Sequence, residues 1–281
     1  MSEIVSASHP VDSLLRADRL PHIWCPGCGL GSITATYMGA LQDSGLPMDK
    51  SVVVSGIGCT GRVAGYVDLD SFHTTHGRAI PFATGVKLGN PELQVTVISG
   101  DGDLFAIGGN HFLHAARRNL DLLVVCVNNF NYAMTGGQAG PTTPRQAVTS
   151  TTPRGATDQP FNLQQLATSL GVSYSARWTA LHLRQLRDTF TRAIGLHGFR
   201  FVEVLSPCPV GFGKDNGLGE GLDEMEFYRS QGVVDRRITP AMASVEMSRT
   251  SPLPLGVFAD PDDAGTEWPG STRITNGGVP S

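Results

Sequence analysis

Three groups of residues in this chain have types and spacings suited to chemistry. The first is Gly100-Asp101-Gly102-Asp103, followed about 25 residues later by Asn128-Asn129. Asp101 is a hard oxygen donor, Asn129 offers a carbonyl oxygen, and Asn131 can add its main-chain carbonyl. Mg²⁺ takes near-octahedral oxygen ligation at about 2.0–2.1 Å and keeps positions for water and phosphate oxygens. Glycine on either side of the acid lets the backbone turn sharply and approach a ligand closely. Gly-Asp-Gly by itself is more often an ordinary turn. With the asparagine pair at the end of the next apolar run, the set reads as a clamp for Mg²⁺ and a diphosphate.

The second group is four of the five cysteines. Cys25-Pro26-Gly27-Cys28 is a tight knuckle whose two intervening residues let both sulfurs face one metal. Cys59 lies in Gly56-Ile57-Gly58-Cys59-Thr60-Gly61 and Cys208 in Ser206-Pro207-Cys208-Pro209, each just after an apolar run. Four thiolates suit structural zinc or a [4Fe–4S] cluster, and spacing leaves both open, with unrelated cysteines close behind. The fifth, Cys126, sits inside an apolar run and reads as a small buried hydrophobe. The third group is His73-Thr74-Thr75-His76-Gly77-Arg78-Ala79, where His76 and Arg78 are candidate anion binders on a loop. Without further support His73 and His76 read first as surface or satisfied core residues.

These groups need a frame that brings strand ends together. The β-branched run 95–99, a helix-length segment 105–118 and the apolar run 122–127 predict a βαβ unit. Such a crossover makes the strands parallel and puts both polar clusters at carboxyl ends, where open α/β sheets bind ligands. Residues 51–54 and 201–205 are further strands, so Cys59 and Cys208 belong to the same edge. A helix over 30–41 stops near Ser44-Gly45-Leu46-Pro47, and 81–88 carries proline in its first turn. The segment 105–118 contains Gly108 and Gly109, which weaken a helix and suggest close packing against a ligand or sheet. Residues 136–159 form a Gly/Pro/Thr-rich loop long enough for a lid or subunit contact. Amphipathic helices follow over 163–170 and 183–194. Residues 1–20 read as an arm with a short helix start at Asp12-Ser13-Leu14-Leu15. The stretch after Cys208 reads as a loosely structured tail, ordered only against a partner.

Composition removes several classes. The 281 residues are 40% hydrophobic and 16% charged with a net charge of −4, so no basic excess points to nucleic acid. No run of about 18 apolar residues suggests a membrane span. Residues 1–10 lack the basic and apolar regions of a signal peptide, and an odd, scattered set of cysteines argues against a disulfide framework. The expectation is a soluble cytoplasmic protein of one large α/β domain or two smaller ones.

Taken in order, His22-Ile23-Trp24-Cys25-Pro26-Gly27-Cys28, Gly56-Ile57-Gly58-Cys59, His73 to Ala79, Gly100 to Asp103 and Asn128-Asn129 resemble the β subunit of 2-oxoacid:ferredoxin oxidoreductases. The likeness is closest to 2-oxoglutarate members and spans roughly residues 20–208. It implies a thiamine diphosphate-binding α/β fold, a mainly parallel sheet flanked by helices, over 21–210, with 211–281 an irregular extension for subunit contact. It implies a [4Fe–4S] cluster on Cys25, Cys28, Cys59 and Cys208, and Mg²⁺ on Asp101, Asn129 and the Asn131 carbonyl. Ile57, Gly58, Cys59 and Thr60 would line the thiamine. His76, Gly77, Arg78 and Ala79 would lie at its phosphate side or near substrate, with His76 and Arg78 in catalytic roles. Gly100, Gly102, Asp103, Ala133 and Met134 would complete the pocket.

The implied reaction is CoA-dependent oxidative decarboxylation of a 2-oxoacid, with 2-oxoglutarate giving succinyl-CoA and CO₂, and electrons passing through the cluster to ferredoxin. The implied partner is an α subunit that supplies the glutamate facing the aminopyrimidine, in a dimer of heterodimers. Pyruvate or another 2-oxoacid is the alternative substrate. A non-redox thiamine enzyme such as acetohydroxyacid synthase would leave the four cysteines idle, and a zinc-stabilised binding module would leave Gly-Asp-Gly a plain turn. Some family members carry a lysine after the threonine in the segment matching Tyr132 to Gln138; here the position is Gly136.

Overall fold

Each β-branched run of the sequence becomes a strand of one eight-stranded sheet. The computed structural model describes residues 10–235, 237–246 and 251–262. Residues 1–9 of the expected arm, and 236, 247–250 and 263–281 of the expected extension, lie outside the described residues. In chain order the strands are β1 (Ser51–Ser55), β2 (Asp70–His73), β3 (Gln94–Gly100), β4 (Leu122–Asn128), β5 (Asn131–Tyr132), β6 (Gln138–Ala139), β7 (Tyr174–Thr179), β8 (Phe199–Leu205), β9 (Gly232–Val234) and β10 (Leu253–Ala259). The large sheet runs β2-β1-β3-β4-β8-β7-β10-β9, and β5 pairs with β6 in a separate ribbon. Pairing in the large sheet is parallel apart from β7 with β10.

The helices are α1 (Leu30–Asp43), α2 (Val63–Tyr66), α3 (Ala79–Gly89), α4 (Gly109–Arg117), α5 (Leu163–Ser169), α6 (Leu183–Ile194) and α7 (Gly221–Gln231). They cover both faces of the sheet, which is why β1, β4, β7 and β8 are buried along their whole length. Two apolar layers result. One packs α1 and α6 on the sheet, with Tyr37 and Phe190 edge to face at 5.7 Å between ring centroids. The other packs α3, α4 and α5 against the opposite face around Phe105, Phe112, Phe199 and Phe201. An aromatic pair of this kind adds about 0.5–1.5 kcal/mol to the burial of its surface. Cys126 is fully buried in this second layer, as a small core residue should be.

The sheet order sets the place of chemistry. From β1 the chain moves outward to β2, whereas β3 lies on the other side of β1 and leads to β4. The order reverses between β1 and β3, and open α/β sheets bind ligands at such a switch point. The registers Ser55 with Ile98, Gly100 with Val127 and Asn128 with Leu205 bring the carboxyl ends of β1, β3, β4 and β8 to one edge.

Two expectations need correction. The helix expected over 105–118 is broken: Gly102–Ile107 forms a wide π-helical turn, and α4 starts afresh at Gly109. A β-carbon on Gly108 would stand 2.6 Å from the Asp103 carbonyl, so the chain's own turn, not a ligand or the sheet, requires that glycine. The stretch after Cys208 is also more ordered than its prolines and glycines suggest. It contains a π-helical turn at Pro209–Gly213, then α7, and it returns twice to the sheet as β9 and β10.

Candidate functional site

The carboxyl ends of β1, β3 and β4 surround a cavity. Ile57, Gly58, Cys59 and Thr60 line it from the β1 end, Gly100 to Asp103 from the β3 end, and Asn129, Asn131 and Tyr132 from the β4 end. His76, Ala133, Met134 and Thr135 close its sides. A left-handed Phe130, φ 65°, turns the chain sharply between Asn129 and Asn131. That conformation is costly for a non-glycine residue. It is held because Phe130 is fully buried, packs on Phe212, and donates its N–H to Asn128 Oδ1 at 3.2 Å.

Asp101 is 1% exposed. Burial pushes its carboxyl up to about 6, against the pull of the Thr142 hydroxyl and the N–H groups of Gly102 and Asn129. The Thr142 hydroxyl donates to Asp101 Oδ2 at 2.5 Å. Asn131 Nδ2 donates to the Asn129 carbonyl at 2.7 Å, while Asn131 Oδ1 is buried with no hydrogen-bond partner among the described residues. A buried acid and neighbouring amide oxygens in a glycine-walled cavity are a donor set suited to a hard cation and a diphosphate. Gly102 belongs to that wall: a β-carbon there would meet the Tyr132 ring at 2.2 Å.

Asp103 behaves differently from its neighbour. Its Oδ1 accepts the backbone N–H of Gly77 at 2.8 Å and of Ile57 at 3.2 Å, and its Oδ2 accepts the Ser99 hydroxyl at 2.9 Å. His76 Nδ1 stands 2.6 Å from the same carboxylate, a close contact without the alignment of a hydrogen bond. One buried carboxylate therefore ties the loops after β1 and β2 to the end of β3. Gly56 makes room for it, since a β-carbon there would lie 1.8 Å from Asp103 Oδ2.

Of the expected loop residues only His76 reaches the cavity wall. Gly77 is buried at φ 72°, Ala79 is buried in the first turn of α3, and Arg78 is exposed with Nη1 2.8 Å from His111 Nε2. Gly77, Arg78 and Ala79 do not line this cavity. Gly136 has φ 110°, a conformation that a lysine rarely adopts, so this turn is shaped for glycine.

The four cysteines face one region beside the cavity. The Cys25–Cys28 knuckle is closed by the Cys28 N–H donating to the Cys25 carbonyl at 3.0 Å. A β-carbon on Gly29 would meet Ser206 Oγ at 2.7 Å, so the knuckle is packed on the end of β8, two residues before Cys208. Trp24 Nε1 donates to the Cys59 carbonyl at 2.8 Å and pins the third cysteine to the same knuckle. Burial pushes the Cys28 thiol up to about 11, and Cys59, Cys25 and Glu224 push the same way. Burial pushes Cys208 up to about 12, opposed by the Asn131 amide and the Gly211 N–H. Cys59 is raised by burial and by Cys25.

The four cysteines thus lie close to one another. Yet among the described residues no three His, Cys, Asp or Glu side chains converge as ligands of a single metal ion. Four cysteines brought to one region are a donor set of the kind that holds a [4Fe–4S] cluster or a zinc ion.

Two residues of the site escaped sequence reasoning. Glu224, on α7, is fully buried; its Oε1 accepts the Cys208 N–H at 3.0 Å, and burial pushes it up to about 7. Nothing local marks it, because α7 lies in the stretch expected to be loose. Thr142 lies in the long loop, where the doublet Thr142-Thr143 between two prolines is the sole hint.

Comparison with known proteins agrees with this geometry. Residues 56–204 match the family described as thiamine pyrophosphate enzyme, C-terminal TPP binding domain. The chain is similar to the 2-oxoglutarate synthase subunit KorB of Methanothermobacter marburgensis, 46% identical over 90% of this chain and 87% of the relative. It is similar to 2-oxoacid:ferredoxin oxidoreductase 2, subunit beta, of Aeropyrum pernix, 43% identical over 66% of this chain and 60% of the relative. Among solved structures it superposes on 2-oxoglutarate:ferredoxin oxidoreductase from Magnetococcus marinus, determined with 2-oxoglutarate, coenzyme A and succinyl-CoA bound. The TM-score is 0.77 with 31% identity, covering 89% of this chain and 84% of that one.

Proposed function

The chain belongs to the β subunits of the 2-oxoacid:ferredoxin oxidoreductases, and on that premise we propose that it serves the oxidative decarboxylation of 2-oxoglutarate to succinyl-CoA and CO₂. It would do so together with an α subunit, in a dimer of heterodimers, with ferredoxin as electron acceptor. The substrate assignment is supported by relatives named for 2-oxoglutarate and by a solved neighbour that binds 2-oxoglutarate and coenzyme A.

The observation that carries the reading is the loop after β1. Cys59 lines the cavity of Asp101 and Asn129 and also faces Cys25 and Cys28, so one short loop is shared by the two candidate sites. Bound thiamine diphosphate supplies a carbon nucleophile and an electron sink for a 2-oxoacid, and an adjacent [4Fe–4S] cluster takes up electrons singly.

Apart from the glutamate of the α subunit, the remaining work falls to residues of this chain. Asp101 and Asn129, with the Asn131 carbonyl, hold Mg²⁺ against the diphosphate. Ile57, Gly58 and Thr60 shape the thiamine wall, and Ala133 and Met134 close the opposite side. Cys25, Cys28, Cys59 and Cys208 hold the cluster. His76, on the cavity wall beside Asp103, is placed to bind an anion or to hold a proton near substrate. The exposed Ile57 and Met134 at the cavity rim are apolar surface for the α subunit to cover.

The test is metal analysis and electron paramagnetic resonance on the chain purified anaerobically with its α subunit, then given 2-oxoglutarate or pyruvate. About four irons per chain and a substrate-dependent paramagnetic signal, stronger with 2-oxoglutarate, are expected. Zinc in place of iron would sink the cluster, and preference for pyruvate would overturn the substrate.

A further inference from the structure

The long loop between β6 and α5 does more than span two elements. Its first turn buries two threonines: Thr142 is 2% exposed and Thr143 4%. Thr143 donates to the Phe130 carbonyl and accepts the Gly140 N–H at 2.8 Å, which fixes the turn to the end of β4. Thr142 then lies against Asp101, with its hydroxyl 2.5 Å from Oδ2. Asp101 lines the cavity and Thr142 does not, so the hydroxyl reaches the carboxylate from behind.

A hydroxyl has one proton to give, and Asn128 Oδ1 stands 2.9 Å away on its other side. That amide oxygen already accepts the Phe130 N–H. An ionised carboxylate is the stronger acceptor and is the nearer of the two, so the proton goes to Asp101. Asn128 is itself held from the far side, where its Nδ2 donates to Glu203 Oε1 at 2.9 Å within the buried Arg177–Glu203 pair. The hydroxyl is therefore backed by a fixed frame, not by mobile surface groups.

From this geometry we propose that Thr142 is the positioning residue of Asp101. Its hydroxyl holds Oδ2 so that the other carboxylate oxygen faces the cation, and the same contact latches the loop of Thr142 to the site. The proposal rests on the reading of Asp101 as a ligand of diphosphate-bound Mg²⁺. Groups that orient a metal ligand from behind govern affinity, and their loss weakens metal binding about 10–100-fold. The latch adds a second consequence: loading the site steadies the loop, and Arg145 and Arg154, both exposed on it, report that steadiness to trypsin.

The experiment uses the complex of this chain with its partner subunit, stripped of Mg²⁺ and thiamine diphosphate. Mg²⁺ is titrated calorimetrically at saturating thiamine diphosphate, and tryptic cleavage after Arg145 and Arg154 is timed with and without both. Thr142→Val removes the hydroxyl at nearly the same shape and is expected to raise the Mg²⁺ half-saturation about 10–100-fold, whereas Thr142→Ser stays within about threefold of wild type. Mg²⁺ with thiamine diphosphate slows cleavage of the wild type and of Thr142→Ser, and leaves Thr142→Val unchanged. Thr142→Ala, which puts no methyl group against the carboxylate, takes the place of the valine variant if that one does not fold. Valine and alanine variants that bind Mg²⁺ within about twofold of wild type, or a serine variant as impaired as valine, would overturn the proposal. A wild-type complex that takes up neither Mg²⁺ nor thiamine diphosphate overturns the reading of the site, and with it the proposal; the variants separate the two failures.

Discussion

Replacing Arg177 by methionine leaves the Glu203 carboxylate buried opposite an uncharged side chain. The two residues are 1% and 0% exposed, and Arg177 Nε donates to Glu203 Oε2 at 2.8 Å. Removing one member of a buried ion pair typically costs about 3–5 kcal/mol, since the remaining charge is left without compensation. Glu203 would keep two amide donors, Asn128 Nδ2 at 2.9 Å and Gln164 Nε2 at 3.0 Å, which places the expected loss near the lower end. At about 2–4 °C per kcal/mol for a domain of this size, the melting temperature should fall by about 6–12 °C.

Glu203→Gln alone strands the guanidinium and should cost a similar amount. The double variant Arg177→Met/Glu203→Gln buries no charge and should lie within about 1–2 kcal/mol of wild type. The assay is thermal unfolding of the assembled complex at fixed protein and cofactor concentration, followed by near-ultraviolet circular dichroism. A single variant that loses less than about 1 kcal/mol, or a double variant that loses the sum of both, would refute the reasoning.

Three further outcomes follow from the site. Burial raises the Asp101 carboxyl from 3.8 to about 6 in the metal-free chain, so a proton competes with the cation below that pH. The apparent Mg²⁺ affinity, measured calorimetrically, should therefore be flat above pH 6 and fall by about tenfold per unit below it. Cys208→Ser, which lies away from the cavity, should lower the bound iron and abolish the reduced-cluster resonance, while thiamine diphosphate still binds by calorimetry; unchanged iron would remove Cys208 from the ligand set. Gly56→Ala puts a methyl group where Asp103 Oδ2 stands, so by overpacking it should destabilise the complex by about 1–3 kcal/mol and depress activity together. A neutral result in thermal unfolding and turnover would mean that Asp103 does not tie the two loops.

Local sequence determined the parts. The β-branched runs ending in Gly100-Asp101-Gly102 and Asn128-Asn129 specify strands with donors at their carboxyl ends, because strand type and turn type are decided within a few residues. Cys25-Pro26-Gly27-Cys28 specifies a knuckle for the same reason. A parallel sheet followed from the length of the segment between two strands, and its order then brought Cys59 and Cys208 to one edge.

Tertiary structure decided the pairings. Asp101 and Asp103 are two residues apart in one motif and both line the cavity, yet Asp101 has an oxygen held by the Thr142 hydroxyl, while the Asp103 carboxylate binds the N–H groups of Ile57 and Gly77. Thr142 reaches Asp101 across 41 positions and Glu203 reaches Asn128 across 75, distances over which spacing carries no information. The chain after Cys208 read as loose because its glycines and many prolines leave few periodic segments, and within 253–259 Pro254 and Gly256 weaken a strand by local propensity. It becomes β10 because β7 offers an open edge to pair with, and long-range burial outweighs local preference there.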